Sequence, residues 1–264
     1  MEKEKYDFEK CLAIIRRLRS EKGCAWDNDQ TLDTLKKYFL EEVYEALDAM
    51  DRRNFDNLKE ELGDVIWEVL FVARIAEQEG QFKIEEIFQV LGEKMVRRHP
   101  HIFGESQSLS AEQVWTQWGK IKKQESNTSR THHILAKIPQ TLPALLRAFR
   151  ISERAAKTGF DWDNPDQVLA KVREEMDELD QARQSGDKGR MEQELGDVIF
   201  ALVNYGRHLQ ISAEDGLRQT TDTFVRRFEI VEDIVADEGG EIKEKSLAEL
   251  EAIWQRAKKM LSKK

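Results

Sequence analysis

Two short acidic motifs occur twice in this sequence, and both copies have the residue types that bind metal ions. The segment EEVYE at 41–45 recurs 133 residues later as EEMDE at 174–178, and ELGDVI at 61–66 recurs as ELGDVI at 194–199. On a helix, carboxylates three or four positions apart lie on one face. Several carboxylates brought together repel one another unless cations lie among them. With oxygen ligands only, the sequence predicts a hard metal, Mg²⁺ first and Mn²⁺ second.

The ordinary explanation for such charges is a solvated face of an amphipathic helix. Duplication weighs against it, because both motifs persist in register while the residues around them differ between the copies. The repeated motifs therefore favour a metal site. Each ELGD motif contains a glycine, Gly63 in the first copy and Gly196 in the second. A glycine in a helix interior costs about 1 kcal/mol relative to Ala, so its presence in both copies predicts close packing at that position.

Basic residues accompany the acidic motifs at helical spacing. Lys171 precedes Glu174 by one turn, and Arg190 precedes Glu194 by one turn. A Mg²⁺ ion on carboxylates usually keeps open positions that serve substrate phosphates, and arginine forks suit phosphate oxygens. A phosphate-containing substrate is therefore predicted. Further candidate cations are Arg226 and Arg227 in the second copy and Lys94, Arg97 and Arg98 in the first.

The sequence lacks the motifs that mark other common hydrolytic and nucleotide-binding sites. The chain has no GxxxxGK[ST], GxGxxG, HExxH or GxSxG motif, and none of its five histidines repeats between the copies. Without a nucleophilic side chain, hydrolysis would use a metal-polarised water with a glutamate as base, and spacing does not decide which glutamate. Trp118 and Trp254, each on a late helix, either stack on a base or close the core.

Composition indicates the elements that position these residues. Of 264 residues, 35% are charged, and only 14 are Gly and 4 Pro, which is typical of a helical protein. Apolar spacing near 3.6 dominates both halves, and no stretch reads as a strand. Helix starts are indicated at Ser110, Asn164 and Ser246. The predicted divisions are a first repeat at 1–123, a polar linker at 124–141 and a second repeat at 142–264.

Charge and cysteine usage exclude several classes of protein. A net charge of -9 makes duplex nucleic acid a poor partner. Cys11 and Cys24 form no CxxC motif, so neither a disulfide framework nor a zinc site is indicated. The chain has neither a signal peptide at its start nor an apolar run that could span a membrane, so a soluble, cytoplasmic protein is expected.

Three further segments accompany the two-copy pattern: CAWD at 24–27, QT at 30–31 and RRHPHIF at 97–103. Together these features resemble the MazG family of nucleoside triphosphate pyrophosphohydrolases over nearly the whole chain. The resemblance implies an all-α fold of tandem four-helix-type domains and a homodimer in which facing helices complete the sites. It also implies Mg²⁺-dependent cleavage of ribo- and deoxynucleoside triphosphates, ATP among them, between the α and β phosphates. The products would be a nucleoside monophosphate and pyrophosphate, and the role would be clearance of aberrant or surplus nucleotides.

The resemblance also implies which residues act. In two-copy members the active site is usually in the second copy, which puts the metal on Glu175, Glu178, Glu194 and Asp197, with Glu174 as a further catalytic residue. The nucleotide-contacting positions are Lys171, Glu174, Arg190, Gln193, Arg226, Arg227 and Trp254. A second metal site in the first copy, on Glu42, Glu45, Glu61 and Asp64, stays open.

Some residues depart from the family pattern. Thr223 stands where a lysine is usual, Arg190 replaces a lysine, Gln193 replaces an acidic residue and Ala25 replaces a proline. Loss of a phosphate-facing cation at Thr223 supports an alternative, a helical dimeric regulatory or interaction protein in which one or both carboxylate sites are vestigial. A di-iron bundle is excluded because neither cluster has the Glu-x-x-His such sites carry.

Overall fold

The computed structural model describes residues 5–104, 109–126 and 133–262, and the chain divides into two compact units at 129/130. Within these ranges every regular element is a helix, as the sequence predicts. None of these helices is both long enough and apolar enough to cross a bilayer. The first unit contains α1 (Phe8–Leu18), α2 (Ala25–Asp29), α3 (Leu32–Asp51), α4 (Phe55–Gln78), α5 (Ile84–Arg98), α6 (Pro100–Phe103) and α7 (Ala111–Ser126). The second contains α8 (Ala144–Ala156), α9 (Pro165–Ser185), α10 (Lys188–His208), α11 (Ala213–Asp237), a 3₁₀ turn (Ile242–Glu244) and α12 (Leu247–Leu261).

The segment that the sequence assigns to a linker, 124–141, is only partly non-helical. Helix α7 continues to Ser126, so residues 124–126 are helical. Residues 127–132 lie outside the described ranges, and 133–141 form turns and bends. The division between the two units falls inside this segment.

A helical hairpin forms the centre of each unit, α3–α4 in the first and α9–α10 in the second, and these are the most extensively packed helix pairs. Short connections force the paired helices to run antiparallel. Helix α9 ends at Gly186, whose φ of 73° is left-handed and suits glycine. One residue later, Asp187 caps α10 by accepting from the backbone N–H of Arg190 at 3.1 Å.

Side-chain caps confirm the predicted helix starts. The Ser110 hydroxyl accepts from the backbone N–H of Gln113 at 3.3 Å, and the Gln113 side chain accepts in return from the Ser110 N–H at 2.9 Å. Ser246 and Glu249 form the same reciprocal capping box. Asn164 caps α9 with Pro165 at its first position. Each cap satisfies backbone donors that the first helical turn leaves without partners.

The core of each unit is narrow. In the first unit the fully buried side chains of α1, α3 and α4 include Ile15, Leu35, Leu70 and Phe71. In the second unit the ends of α11 and α12 form a cluster of their own, which consists of Val231, Ile234, Val235, Ile253 and Ala257.

The hairpins leave part of their apolar surface uncovered. Leu40 and Met50 on α3, and Leu62 and Ile66 on α4, are apolar residues of the two helices, yet all four are exposed within the chain. Each hairpin helix therefore packs along one side and presents apolar residues to solvent on another.

The close packing predicted at the ELGD glycines is wrong within the described chain. Both Gly63 and Gly196 are exposed, and a Cβ atom built on either would meet no described atom within 4 Å. Within the described residues, the two glycines therefore lie beside open space on the helix surface.

We predict that Gly63→Ala and Gly196→Ala each raise the free energy of unfolding by about 0.5–1 kcal/mol, because alanine has the higher helix propensity and no described atom of the same chain lies within 4 Å of its methyl group. Urea unfolding followed by circular dichroism measures the change. Gly23→Ala is the control and should destabilise the chain, because its Cβ would lie 2.0 Å from the Leu18 carbonyl oxygen. Lower stability of the two helix variants would contradict the prediction.

Candidate active site

Four acidic side chains of the α9–α10 hairpin form what we call the C-terminal carboxylate cluster: Glu175 and Glu178 on α9, and Glu194 and Asp197 on α10. Glu175 and Glu194 are each only 8% exposed, whereas Glu178 is half-buried and Asp197 is exposed. Carboxylate oxygens of Glu175, Glu194 and Asp197 lie within 4.8 Å of one another. Burial, and then the charges of Glu175 and Glu194, raise the pKa of Glu178 above its ordinary value.

Two basic side chains pair with this cluster. The Lys171 Nζ lies 2.8 Å from Glu174 and 2.9 Å from Glu175, and hydrogen bonds to the two carboxylates raise the pKa of the lysine. The Arg190 Nε lies 3.3 Å from a Glu194 oxygen. Both ion pairs have the one-turn spacing that the sequence indicates, and they offset part of the repulsion among the buried carboxylates. Glu174 itself is exposed and contacts Lys171.

The corresponding residues of α3 and α4, namely Glu42, Glu45, Glu61 and Asp64, form the N-terminal carboxylate cluster. Oxygens of Glu42, Glu45 and Glu61 lie within 4.8 Å of one another. Burial raises the pKa of Glu61, and Glu45 raises it further; burial and the charge of Asp64 raise the pKa of Glu42. Within the described ranges no Lys or Arg forms a salt bridge with this cluster.

The chemistry of both clusters fits a divalent cation. Every donor is a carboxylate oxygen, and each cluster includes at least one side chain that is buried, Glu61 in the first and Glu175 and Glu194 in the second. Hard cations such as Mg²⁺ and Mn²⁺ prefer this donor type. A bound cation would offset the mutual repulsion that raises the carboxylate pKa values.

Among the described residues, the remaining predicted nucleotide-contacting residues form no hydrogen bond or salt bridge with the carboxylates. Gln193 is exposed on α10. Arg226 donates its Nε to the Asp222 carbonyl at 3.3 Å. Arg227 and Trp254 belong to the α11–α12 pair, and among the described residues no hydrogen bond or salt bridge joins them or Arg226 to the cluster.

The arginine–tryptophan contact repeats in both units. The Arg227 guanidinium carbon lies 6.0 Å from the Trp254 ring centroid, and Arg98 lies 5.8 Å from the Trp118 ring. Trp254 also contacts Phe224, with ring centroids 5.0 Å apart, and packs against the α11–α12 core. Of the two roles open for Trp254, packing is therefore observed in this structure.

The sequence patterns did not identify several residues that lie near the N-terminal cluster. A cleft of about 520 Å³ lies beside the cluster, and Tyr44, Asp48 and Asn57 line it together with Glu41, Glu45 and Glu61. Glu68, one turn after Asp64, is 8% exposed. A search for residues shared by the two copies passes over Glu68, because its counterpart is Ala201. The available signal was a lone acidic residue in the apolar run VIWEVLFV at 65–72.

Known proteins match both the motifs and the length of this chain. The model of the MazG nucleotide pyrophosphohydrolase domain matches residues 30–103 and again 163–231. The chain belongs to the MazG family. Those two segments include both carboxylate clusters, so the resemblance inferred from the motifs is confirmed, and membership makes the chain a nucleotide pyrophosphohydrolase.

MazG relatives extend the match over the full chain. It is 43% identical over 255 residues to a nucleoside triphosphate pyrophosphohydrolase of Escherichia coli strain K12, covering 96% of this chain and 97% of that protein. It is 41% identical over 251 residues to a nucleoside triphosphate pyrophosphohydrolase/pyrophosphatase of Thermotoga maritima, covering 95% of each. The alignments with both relatives thus extend over both MazG segments of this chain.

The raised pKa values predict how the stability of this MazG protein depends on pH without metal. An unfolded glutamate has a pKa of about 4.3. Because folding raises the pKa of Glu61, the folded state binds more protons above that pH, so this contribution to stability is lost as pH rises through the folded-state pKa. In EDTA, we expect Glu61→Gln to lose less stability than the wild type between pH 5 and 8, as measured by urea unfolding.

Comparison of the two proteins isolates the effect of Glu61 from all other titrating groups. Parallel stability profiles over this range would contradict the prediction. Adding Mg²⁺ at pH 8 should stabilise the wild type more than the variant, because the variant loses a metal-binding oxygen.

Proposed function

We propose that this protein is a Mg²⁺-dependent nucleoside triphosphate pyrophosphohydrolase whose C-terminal carboxylate cluster is the active site. The substrates are ribo- and deoxynucleoside triphosphates, including ATP, in the cytoplasmic pool. The observation that carries the proposal is the presence of Lys171 and Arg190 directly beside the buried carboxylates. The carboxylates suit the metal ion that accompanies a nucleoside triphosphate, and the adjoining basic side chains suit its negatively charged phosphates.

Each residue of the site has a role in this proposal. Glu175, Glu178, Glu194 and Asp197 hold the metal, with Mn²⁺ as an alternative to Mg²⁺. The bound ion supplies charge stabilisation at the phosphates. Lys171 and Arg190 bind phosphate oxygens once their carboxylate partners bind the metal. Glu174, which contacts Lys171, keeps that lysine near the cluster.

The reaction consumes one water molecule. The water oxygen forms a bond to the α phosphorus, and the bond from that phosphorus to the α–β bridging oxygen breaks. A glutamate of the cluster accepts a proton from the attacking water. Pyrophosphate leaves with the bridging oxygen, and the nucleoside monophosphate retains the oxygen from water.

The α11–α12 pair, together with Gln193 on α10, supplies the nucleotide contacts in this proposal. Arg226 and Arg227 bind phosphate, and Trp254 and Gln193 contact the nucleoside. Thr223 provides no cation, and its hydroxyl already donates to the Gln219 carbonyl at 2.7 Å. Phosphate binding on α11 therefore depends on the arginine pair.

A homodimer completes the proposal. The α9–α10 hairpin has four exposed apolar residues, which are Met176 on α9 and Leu195, Ile199 and Leu202 on α10. On α10 they follow the spacing of one helix face. A second copy that covers this face would bury it and bring further side chains to the site.

The same substitution made at matching positions of the two copies identifies the copy that catalyses the reaction. Glu178→Gln should lower kcat/KM for nucleoside triphosphates about 100-fold, because metal charge stabilisation is worth several kcal/mol. Glu45→Gln, the same change at the matching position of the first copy, should retain most activity. Phosphorus NMR with Mg²⁺ and mixed NTPs and dNTPs measures both rates and identifies the products.

Monophosphate and pyrophosphate as products support cleavage between the α and β phosphates. Orthophosphate and a diphosphate would contradict the proposed bond. Loss of activity in Glu45→Gln but not in Glu178→Gln would move the active site to the first copy. Circular dichroism of both variants checks that each is folded.

Ile199→Lys should convert the dimer to a monomer, because it places a charge in the middle of the apolar face. Sedimentation velocity measures the oligomeric state. Leu247→Lys is the control, since Leu247 is 82% exposed on α12 and lies outside this face. A dimer that persists in Ile199→Lys, or a wild-type monomer, would contradict the proposed interface.

A further inference from the structure

The two carboxylate clusters differ in the residues around four shared positions. Beside the C-terminal cluster, Lys171 and Arg190 each form a salt bridge with a buried glutamate. The N-terminal cluster has no such partner among the described residues. It has instead one further acidic side chain on α4. The corresponding pairs, first copy before second, are Tyr38 and Lys171, Asn57 and Arg190, and Glu68 and Ala201.

Glu68 is a buried residue on the same face of α4 as two members of the N-terminal cluster. It lies four residues after Asp64 and seven after Glu61, so the three side chains share one face of α4. The charges of Glu42 and Asp64 act on its carboxylate. Glu68 is 8% exposed, and within the described structure its Oε2 atom is fully buried without a hydrogen-bond partner.

A buried carboxylate in this position needs a compensating partner. Burial of an unpaired charge costs several kcal/mol, so such groups normally pair with a cation, accept hydrogen bonds or bind a metal. No Lys or Arg of the described residues forms a salt bridge with Glu68, and its neighbours Glu42 and Asp64 have the same sign of charge. A cation held jointly with the cluster would supply what the surrounding side chains do not.

We propose that Glu68 is a fifth carboxylate of a divalent-cation site formed with the N-terminal cluster, and that this site binds metal in the absence of nucleotide. The inference rests on the proposed metal chemistry of the family but not on the catalytic role of the second copy. The cleft lined by Tyr44, Asn57 and Glu61 gives the ion access from solvent. In the C-terminal cluster, by contrast, Lys171 and Arg190 compete with the metal until a substrate phosphate binds them.

Measurement of metal binding in the absence of nucleotide tests this proposed difference between the two carboxylate clusters. The full-length protein is titrated with Mn²⁺, and bound ion is measured by electron paramagnetic resonance. We expect a tight class of site in the wild type that Glu68→Gln weakens about tenfold or more. Glu178→Gln should leave the tight class unchanged, because that residue belongs to the other cluster.

Thermal unfolding gives a second readout. Metal-free Glu68→Gln should melt at or above the wild-type temperature, because the substitution removes a buried unpaired charge. Mn²⁺ should raise the melting temperature of the wild type by mass action and raise that of the variant much less. Glu68→Asp, which keeps the charge but shortens the side chain, should also weaken Mn²⁺ binding and serves as a second variant if the glutamine protein does not fold.

Unchanged Mn²⁺ binding in folded Glu68→Gln or Glu68→Asp would overturn the inference and identify Glu68 as a protonated core residue. Absence of nucleotide-independent binding in the wild type would overturn it as well. Neither outcome bears on the proposed hydrolysis, which is measured separately in the phosphorus NMR assay. Conversely, a tight Mn²⁺ site that is present in a hydrolytically inactive wild-type protein and is lost in Glu68→Gln would support the inference alone.

Discussion

Repulsion between carboxylates held on two facing helices is the constraint that shapes both units. The α9–α10 hairpin buries Glu175 and Glu194 beside each other, and the α3–α4 hairpin brings Glu61 against Glu42 and Glu45. Such an arrangement opposes folding, and it persists because the helix packing and caps outweigh it. The short connections at 52–54 and 186–187 limit how far the helices can separate. The fold therefore holds a charge distribution that a cation can relieve.

The two copies offset this repulsion in different ways. In the second unit Lys171 and Arg190 form ion pairs with buried glutamates, and these cations adjoin the place where a phosphate would bind. In the first unit Tyr38 and Asn57 occupy those positions, and the pKa values of Glu42 and Glu61 are both raised. Both copies thus keep the four carboxylates, while among the described residues only the C-terminal cluster forms salt bridges with basic side chains. This asymmetry explains why the proposed catalysis is assigned to the second copy.

The sequence predicted features that depend on local spacing. Helices, capping residues such as Ser246, and the one-turn spacing of Lys171 and Arg190 from the glutamates all follow from patterns within one or two turns; the ion pairs that this spacing forms were not predicted. Features that depend on what packs against a helix face were not predictable in this way. Gly63 suggested close contact but faces open space. Glu68 was missed because its significance depends on residues of α3 that burial brings near it.

The cluster of buried residues on α11 and α12 has a mechanistic consequence under the proposed function. Trp254, which Arg227 contacts, packs against this cluster, whereas the carboxylates belong to the α9–α10 hairpin. A nucleotide that contacts both groups would bridge two packing clusters of one unit. Binding energy from the base and the distal phosphates could then be used to position the α phosphate against the carboxylates. On this argument, substitutions in the α11–α12 core that leave the carboxylates untouched would lower kcat as well as raise KM, because they disturb the alignment of the substrate and not only its affinity.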